Sequence, residues 1–157
     1  MDAFIGIKKS QLEEVATILS TILADEFVLY TKTRNAHWNV EGLDFYNKHL
    51  FFETQYKELD QIIDNVAERI RTLGHYPPAK LKDYLQLTHL TEESRQKNDS
   101  VGFIKELLTD HESILLHLRE NINNFAAILK DSGTSDYITG LMETHEKMAW
   151  MLRAHLK

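Results

Sequence analysis

The sequence predicts an all-α protein, four long helices in a bundle with a short helix in a long crossover between the second and third. Three observations carry this. Apolar residues recur three and four positions apart over four long segments, the period of a helix that buries one stripe. Only two prolines and six glycines occur in 157 residues, and the prolines stand together as Pro77-Pro78. Charged residues make up 27% of the chain, enough to solvate the outward helix faces. No strand is expected.

The first helix begins at a capping box, Ser10-Gln11-Leu12-Glu13, carries Val15, Leu19, Ile22 and Phe27, and runs out near His37. Asn39 to Asp44, with Gly42 inside, reads as a turn. The second helix carries Phe52, Tyr56, Leu59, Ile63, Val66, Ile70 and Leu73, and Gly74 with Pro77-Pro78 ends it. The crossover, Ala79 to Asn98, holds a short amphipathic piece, Leu81 to Leu87, followed by polar residues. A third long helix is expected from about Val101 to Lys130, with Ile104, Leu107, His111, Ile114, Leu118, Ile122, Phe125 and Leu129 on one stripe. Asp131-Ser132-Gly133-Thr134 reads as the next turn, and the fourth helix carries Ile138, Leu141, His145, Met148, Leu152 and Leu156.

At this length residues 1–157 form a single domain that buries roughly two-thirds of its unfolded surface. The lack of cysteine removes disulfides, thiolate catalysis, Fe–S clusters and Cys-based zinc sites together. The start, Met1 to Lys9, has no apolar core long enough for a signal peptide, and no stretch approaches a membrane span. Cytoplasm is the expected compartment. A formal net charge of −6 argues against a generic polyanion binder.

Five metal-capable side chains stand at informative spacings: His37, His49, Glu53, Asp64 and Glu68. His49/Glu53 and Asp64/Glu68 are i, i+4 pairs, so each pair leaves the second helix from one face. At 100° per residue, His49, Glu53, Asp60 and Asp64 fall within roughly 60°, with Glu68 about 40° further round. This acidic face borders the apolar stripe without belonging to it, as a subunit contact requires. Two imidazoles and three carboxylates suit a redox-active first-row metal, iron above all. Asp64 lies 15 residues beyond His49, roughly 22 Å along a straight helix. If both pairs serve one site, they come from two chains whose helices run antiparallel about a two-fold axis near Glu58. The bland alternative is a solvated acidic face with a chance histidine.

Two antiparallel helix pairs joined by one long crossover are the arrangement of ferritin-like proteins. Ordinary di-iron members build their site inside the bundle from Glu-x-x-His, yet none of the eight histidines has Glu three residues before it. His111-Glu112 and His145-Glu146 lack the second histidine of a zincin motif, which disfavours a zincin; both histidines sit on core stripes and are expected to be hydrogen-bonded there. His75 and His89 are expected to face solvent.

The string His37-Trp38-Asn39-Val40-x-Gly42, then Phe45, His49-x-x-Phe52-Glu53, Asp64-x-x-Ala67-Glu68-Arg69-Ile70 and Leu73-Gly74 resembles the Dps miniferritins (DNA protection during starvation). So does His145-Glu146-Lys147-x-Ala149-Trp150-Met151-Leu152-Arg153, and the resemblance covers essentially the whole chain. It implies a hollow, tetrahedral dodecamer that oxidises Fe(II), preferably with hydrogen peroxide, and stores the ferric product. By that resemblance His37 and His49 are ligands from one subunit, and Asp64 and Glu68 are ligands from its two-fold partner. Glu53 falls where the first-characterised members have Asp, with Glu common elsewhere. Trp38 resembles a residue that quenches stray oxidising equivalents, and it serves equally as a packed interface aromatic. Asp136 resembles a position lining an acidic three-fold iron-entry pore, with Asp131 nearby; both also suit ordinary turn and N-cap chemistry.

The chemistry follows from the residue types. Anionic oxygen stabilises Fe(III) more than Fe(II), so such a site makes iron easier to oxidise. Two irons, or one tightly held and one transient, together give peroxide two electrons, yield water and avoid the one-electron step that releases hydroxyl radical. The rival from another class is a nucleoid-associated, DNA-binding structural protein with incidental iron binding. Members that bind DNA commonly use a Lys/Arg-rich tail, whereas only Lys8 and Lys9 precede the first helix, so DNA binding is expected to be weak or absent. A ferritin-like oxygenase is disfavoured by the missing Glu-x-x-His.

Overall fold

A computed structural model describes residues 3–92 and 97–157. Five α-helices follow one another: α1 (Lys9–Asn39), α2 (Phe45–Thr72), α3 (Leu81–Leu87), α4 (Ser100–Asn123) and α5 (Ser132–Ala154). The only β feature among the described residues is an isolated bridge between Glu41 and Asp99. Helix α1 packs chiefly on α2 and α4 on α5, while α3 lies against α1. The result is an all-helical, ferritin-like bundle whose crossover carries α3, as the periodicity predicts. Residues 93–96, part of the polar stretch expected after Leu87, and residues 1–2 of the expected start lie outside the described residues.

The core is the meeting of the apolar stripes. Leu19, Leu23 and Leu29 of α1 meet Phe52, Leu59, Val66 and Ile70 of α2, with Ile104, Ile114 and Leu118 of α4 and Ile138 and Leu152 of α5. Each fully buried side chain of this size contributes about 1.5–3 kcal/mol relative to exposure.

The helix ends depart from the sequence reading in five places. Helix α1 starts at Lys9: the Gln11 side chain accepts from the Lys8 backbone N–H, and the expected Ser10–Glu13 box does not form. It also continues two residues past His37. The third long helix does not stay α-helical to Lys130, because Asn124–Ile128 widens into a π-helical turn. Lys130 then adopts φ 58° and reverses the chain. Finally, Ser132 to Thr134 are already helical in α5, and Asp131 is its N-cap, accepting from the Thr134 N–H at 2.9 Å. Helix α5 ends at Ala154, before Leu156.

Two junctions matter for the site. Between α1 and α2, Gly42 takes φ +129°, a conformation L side chains rarely adopt. The Glu41 N–H donates to the Asn98 carbonyl at 2.9 Å, and Ser100 Oγ donates to Asp44 at 2.7 Å, so the turn is fastened to the start of α4. At the far end of α2, Arg69 donates to Thr134 Oγ1 at 2.8 Å and reaches Asp131 at 3.4 Å. A Cβ on Gly133 would come within 3.2 Å of that guanidinium, so glycine leaves it room.

Candidate metal centre

The fixed turn brings His37, near the end of α1, against His49, in the second turn of α2. Their rings stack with centroids 3.8 Å apart. The His37 Nδ1–H donates to the His49 carbonyl at 2.8 Å, and the His49 Nδ1–H donates to the His37 carbonyl at 2.8 Å. The pairing has a local cause. The His37 carbonyl is one of those a helix end leaves without a partner, because the Glu41 N–H turns to Asn98 instead. A carbonyl only accepts, so each Nδ1 carries the proton, and in a neutral imidazole each Nε2 keeps its lone pair. That is the tautomer a metal requires, held in place before any metal arrives.

Glu53 lies one helical turn beyond His49, with a side chain 29% exposed and ion-paired to Lys57. The hydrogen bond and positive charge of Lys57 hold its carboxyl below the usual range, and His37 and His49 act in the same direction. Asp64 and Glu68 are exposed and carry no ion pair or hydrogen bond among the described residues. Helix α2 is unbroken over its 28 residues, so these carboxylates stay roughly 22 Å or more along the axis from His49. No group of three or more metal-capable side chains converges among the described residues. One chain thus presents an imidazole half and a carboxylate half at separate places.

Trp38 is 63% exposed and stacks on Arg34, whose guanidinium carbon lies 4.8 Å from the indole ring and 4.3 Å from the Tyr56 ring. Tyr56 in turn meets His37 edge-on at 5.1 Å. The sequence pattern placed Tyr56 only on the apolar stripe and did not single out Arg34, although Arg34 lies four residues before Trp38 and Tyr56 three after Glu53, the spacings of one helix face. Leu43, Phe45, Tyr46 and Leu50, all exposed, surround the two histidines in sequence.

Asp136 is exposed near the start of α5, free to line an opening. Asp131 is 3% exposed and engaged as a cap and Arg69 partner, so it is not available to a pore. His111 and His145 are buried and hydrogen-bonded as expected, their Nδ1 atoms 2.9 Å apart. His145 Nε2 meets Glu26 Oε1 at 2.8 Å, a partner 119 residues away in sequence that spacing did not reveal. Burial, with the neighbouring His145 charge, holds His111 well below the usual histidine range. Glu26, His145 and His111 form a line through the bundle, not a shared point. His75 is half-buried, whereas His89 is 44% exposed but tied to Asp25.

The profile of the ferritin-like domain family matches residues 16–157. A low temperature-induced protein from Nostoc sp. is 39% identical over 153 residues, covering 98% of this chain and 86% of that protein. A DNA protection during starvation protein from Helicobacter pylori is 37% identical over 139 residues, covering 88% of this chain and 96% of the relative. The crystal structure of a Dps protein from Vibrio cholerae superposes with a TM-score of 0.92 at 32% identity, covering 99% of this chain and 97% of that one. In sequence and in fold, the chain belongs to the ferritin-like family and, within it, to the Dps miniferritins.

Proposed function

We propose that this chain is the subunit of an iron-storing ferroxidase whose metal centre is completed only when two chains meet. The observation that carries the reading is the His37–His49 pair, locked in the ligating tautomer, on the helix whose far end displays Asp64 and Glu68 unpaired. A two-fold axis between the pairs brings each imidazole half to a partner's carboxylate half and makes two identical sites per dimer. The exposed apolar residues around the histidines support a contact there. The Vibrio cholerae relative is described as a member of the ferritin-like diiron-carboxylate proteins, which supports iron as the substrate.

In this reading Fe(II) is held by His37 and His49 of one chain with Asp64 and Glu68 of the other, and Glu53 completes the set once Lys57 releases it. Two Fe(II) each give one electron to hydrogen peroxide. The O–O bond breaks, two protons are taken up, and two waters leave with two Fe(III). Trp38, stacked on Arg34, takes up stray oxidising equivalents. Asp136 lines the iron entry route. The chain acts as one ferritin-like domain, assembles as a shell of twelve, and works in the cytoplasm. Among the described residues no helix is long and apolar enough to cross a membrane.

Protection of DNA then comes from removal of iron and peroxide. Direct binding is disfavoured, since twelve copies of a chain at −6 make an anionic shell that phosphate repels. Light scattering on purified protein, followed by Fe(II) and peroxide addition, tests the reading. A twelve-chain particle that oxidises iron and retains it is expected; a stable monomer with full ferroxidase activity would refute it.

A further inference from the structure

Helix α1 carries Tyr30, Arg34 and Trp38 four residues apart, on one face, and α2 sets Tyr56 against them. The Arg34 guanidinium carbon lies 4.3 Å from the Tyr56 ring, 4.8 Å from Trp38 and 5.8 Å from Tyr30, all within cation–π reach. Arg34 makes no ion pair among the described residues, so its charge is directed at these three rings. The Tyr30 and Tyr56 rings meet edge to face at 6.2 Å. Tyr56 also meets His37 at 5.1 Å, which puts a phenol in direct contact with an imidazole of the metal centre. Phe45 packs on His49 at 5.3 Å, but a phenyl ring has no proton to release with an electron. Behind Tyr30 stands Phe27 at 6.2 Å, so the pair of phenols ends there.

We propose, on the ferroxidase reading above, that Tyr56 with Tyr30 behind it is a one-electron store that stands in for the second iron when a centre holds only one Fe(II). Reduction of peroxide to water takes two electrons, and a lone Fe(II) gives one. Without another donor, the second oxidising equivalent leaves as hydroxyl radical. Tyr56 supplies the missing electron through His37. Fe(II), hydrogen peroxide, one proton from solvent and the phenol become Fe(III), two waters and a neutral tyrosyl radical. The O–O bond and the phenolic O–H bond break, and the phenolic proton with the solvent proton completes the two waters. Tyr30 then gives an electron and its own phenolic proton to Tyr56, which moves the radical away from the iron. The next Fe(II) to arrive returns one electron, and a solvent proton restores the phenol.

Arg34 decides where the radical rests. Its guanidinium stays protonated throughout the working pH range. An electron taken from Trp38 leaves a cationic indole facing that charge, which like-charge repulsion disfavours. A phenol loses its proton with its electron, so the tyrosyl radical is neutral and meets no such repulsion. Equivalents taken up by Trp38 therefore move on to the two tyrosines, which are half-buried where Trp38 is exposed.

Rapid-freeze electron paramagnetic resonance on the assembled protein, with Fe(II) below one per site and peroxide in excess, tests this. Wild type should give a tyrosyl signal that narrows when the protein is made with ring-deuterated tyrosine, and little hydroxyl-radical spin adduct. Tyr56→Phe keeps the ring without its O–H; the tyrosyl signal should be lost and the spin adduct should rise. Tyr76 stacks on Arg71 at 4.1 Å but contacts neither His37 nor His49, so Tyr76→Phe should leave both readings as in wild type. A wild-type radical unchanged by deuterated tyrosine would overturn the proposal. So would equal tyrosyl signal and spin adduct in wild type and Tyr56→Phe. Rapid oxidation by peroxide at two Fe(II) per site, with no tyrosyl signal at limiting iron, overturns this proposal alone. No rapid oxidation at any iron level overturns the ferroxidase reading with it.

Discussion

Replacing His145 by leucine separates the bundle core from the metal centre. His145 is the one hydrogen-bonding partner of Glu26 among the described residues, and Glu26 Oε2 has none. Glu26 and His145 are 0% exposed and His111 is 1%. His145→Leu therefore leaves a carboxyl group buried without a donor, at a cost of about 3–5 kcal/mol. Removing all three polar groups together (Glu26→Met, His111→Leu, His145→Leu) strands nothing, and such replacements are neutral or stabilising by about 1–4 kcal/mol. Denaturant unfolding of metal-free protein at fixed chain concentration reads both. Stopped-flow oxidation of Fe(II) by peroxide should be the same in the triple variant as in wild type, because the proposed oxidation site lies between chains. An assembled triple variant with oxidation slowed tenfold or more would refute the reasoning and place the chemistry inside the bundle. The same variants carry an optical check. Burial and then the field of Glu26 raise the Tyr137 hydroxyl to about 12, so Glu26→Met should bring its titration down.

Three further outcomes are expected. His111 is held well below 6.5 in the folded chain, so the unfolded state binds the extra proton first as pH falls. Stability present above pH 6.5 should be lost on acidification by up to about 1.4 kcal/mol per pH unit, and His111→Leu should flatten that slope in acid unfolding. Gly42→Ala forces an L side chain to φ +129° with its Cβ 3.3 Å from Asp44 Oδ1. It should cost about 1–3 kcal/mol and slow iron oxidation by misaligning His37 and His49; unchanged thermal unfolding and rate would contradict the role given to the turn. A gel shift at physiological salt with metal-free protein should show weak or no retention of plasmid, and sub-micromolar retention would reverse the charge argument.

The helices, the crossover helix and the core stripes were legible because each is a local pattern: Phe52, Leu59, Val66 and Ile70 bury where the period places them. The His37–His49 half was legible for the same reason, a short turn between two helices. Glu26 was not, since a glutamate reads as solvated until a histidine 119 residues away is packed against it. Nor was Asp25, whose value lies in bonds to Thr88 and His89 across the crossover. Helix ends misled where side chains compete for the same backbone groups: Gln11 took the Lys8 N–H, and Asp131 capped α5 so that Ser132 to Thr134 became helix. The π-helical turn at Asn124–Ile128 leaves no mark in an apolar period that continues through Phe125 and Leu129.

The central claim, a metal centre shared between two chains, is tested most directly by mixing two inactive variants. His37→Ala with His49→Ala removes one half of every site, and Asp64→Ala with Glu68→Ala removes the other. Each alone should fold, assemble and lose rapid oxidation of Fe(II) by peroxide. In a mixed dimer one site takes both damaged halves and the other takes wild-type histidines with wild-type carboxylates. Co-refolding should therefore restore activity to about a quarter of wild type at random mixing, whereas no recovery in verified mixed shells would contradict the shared centre.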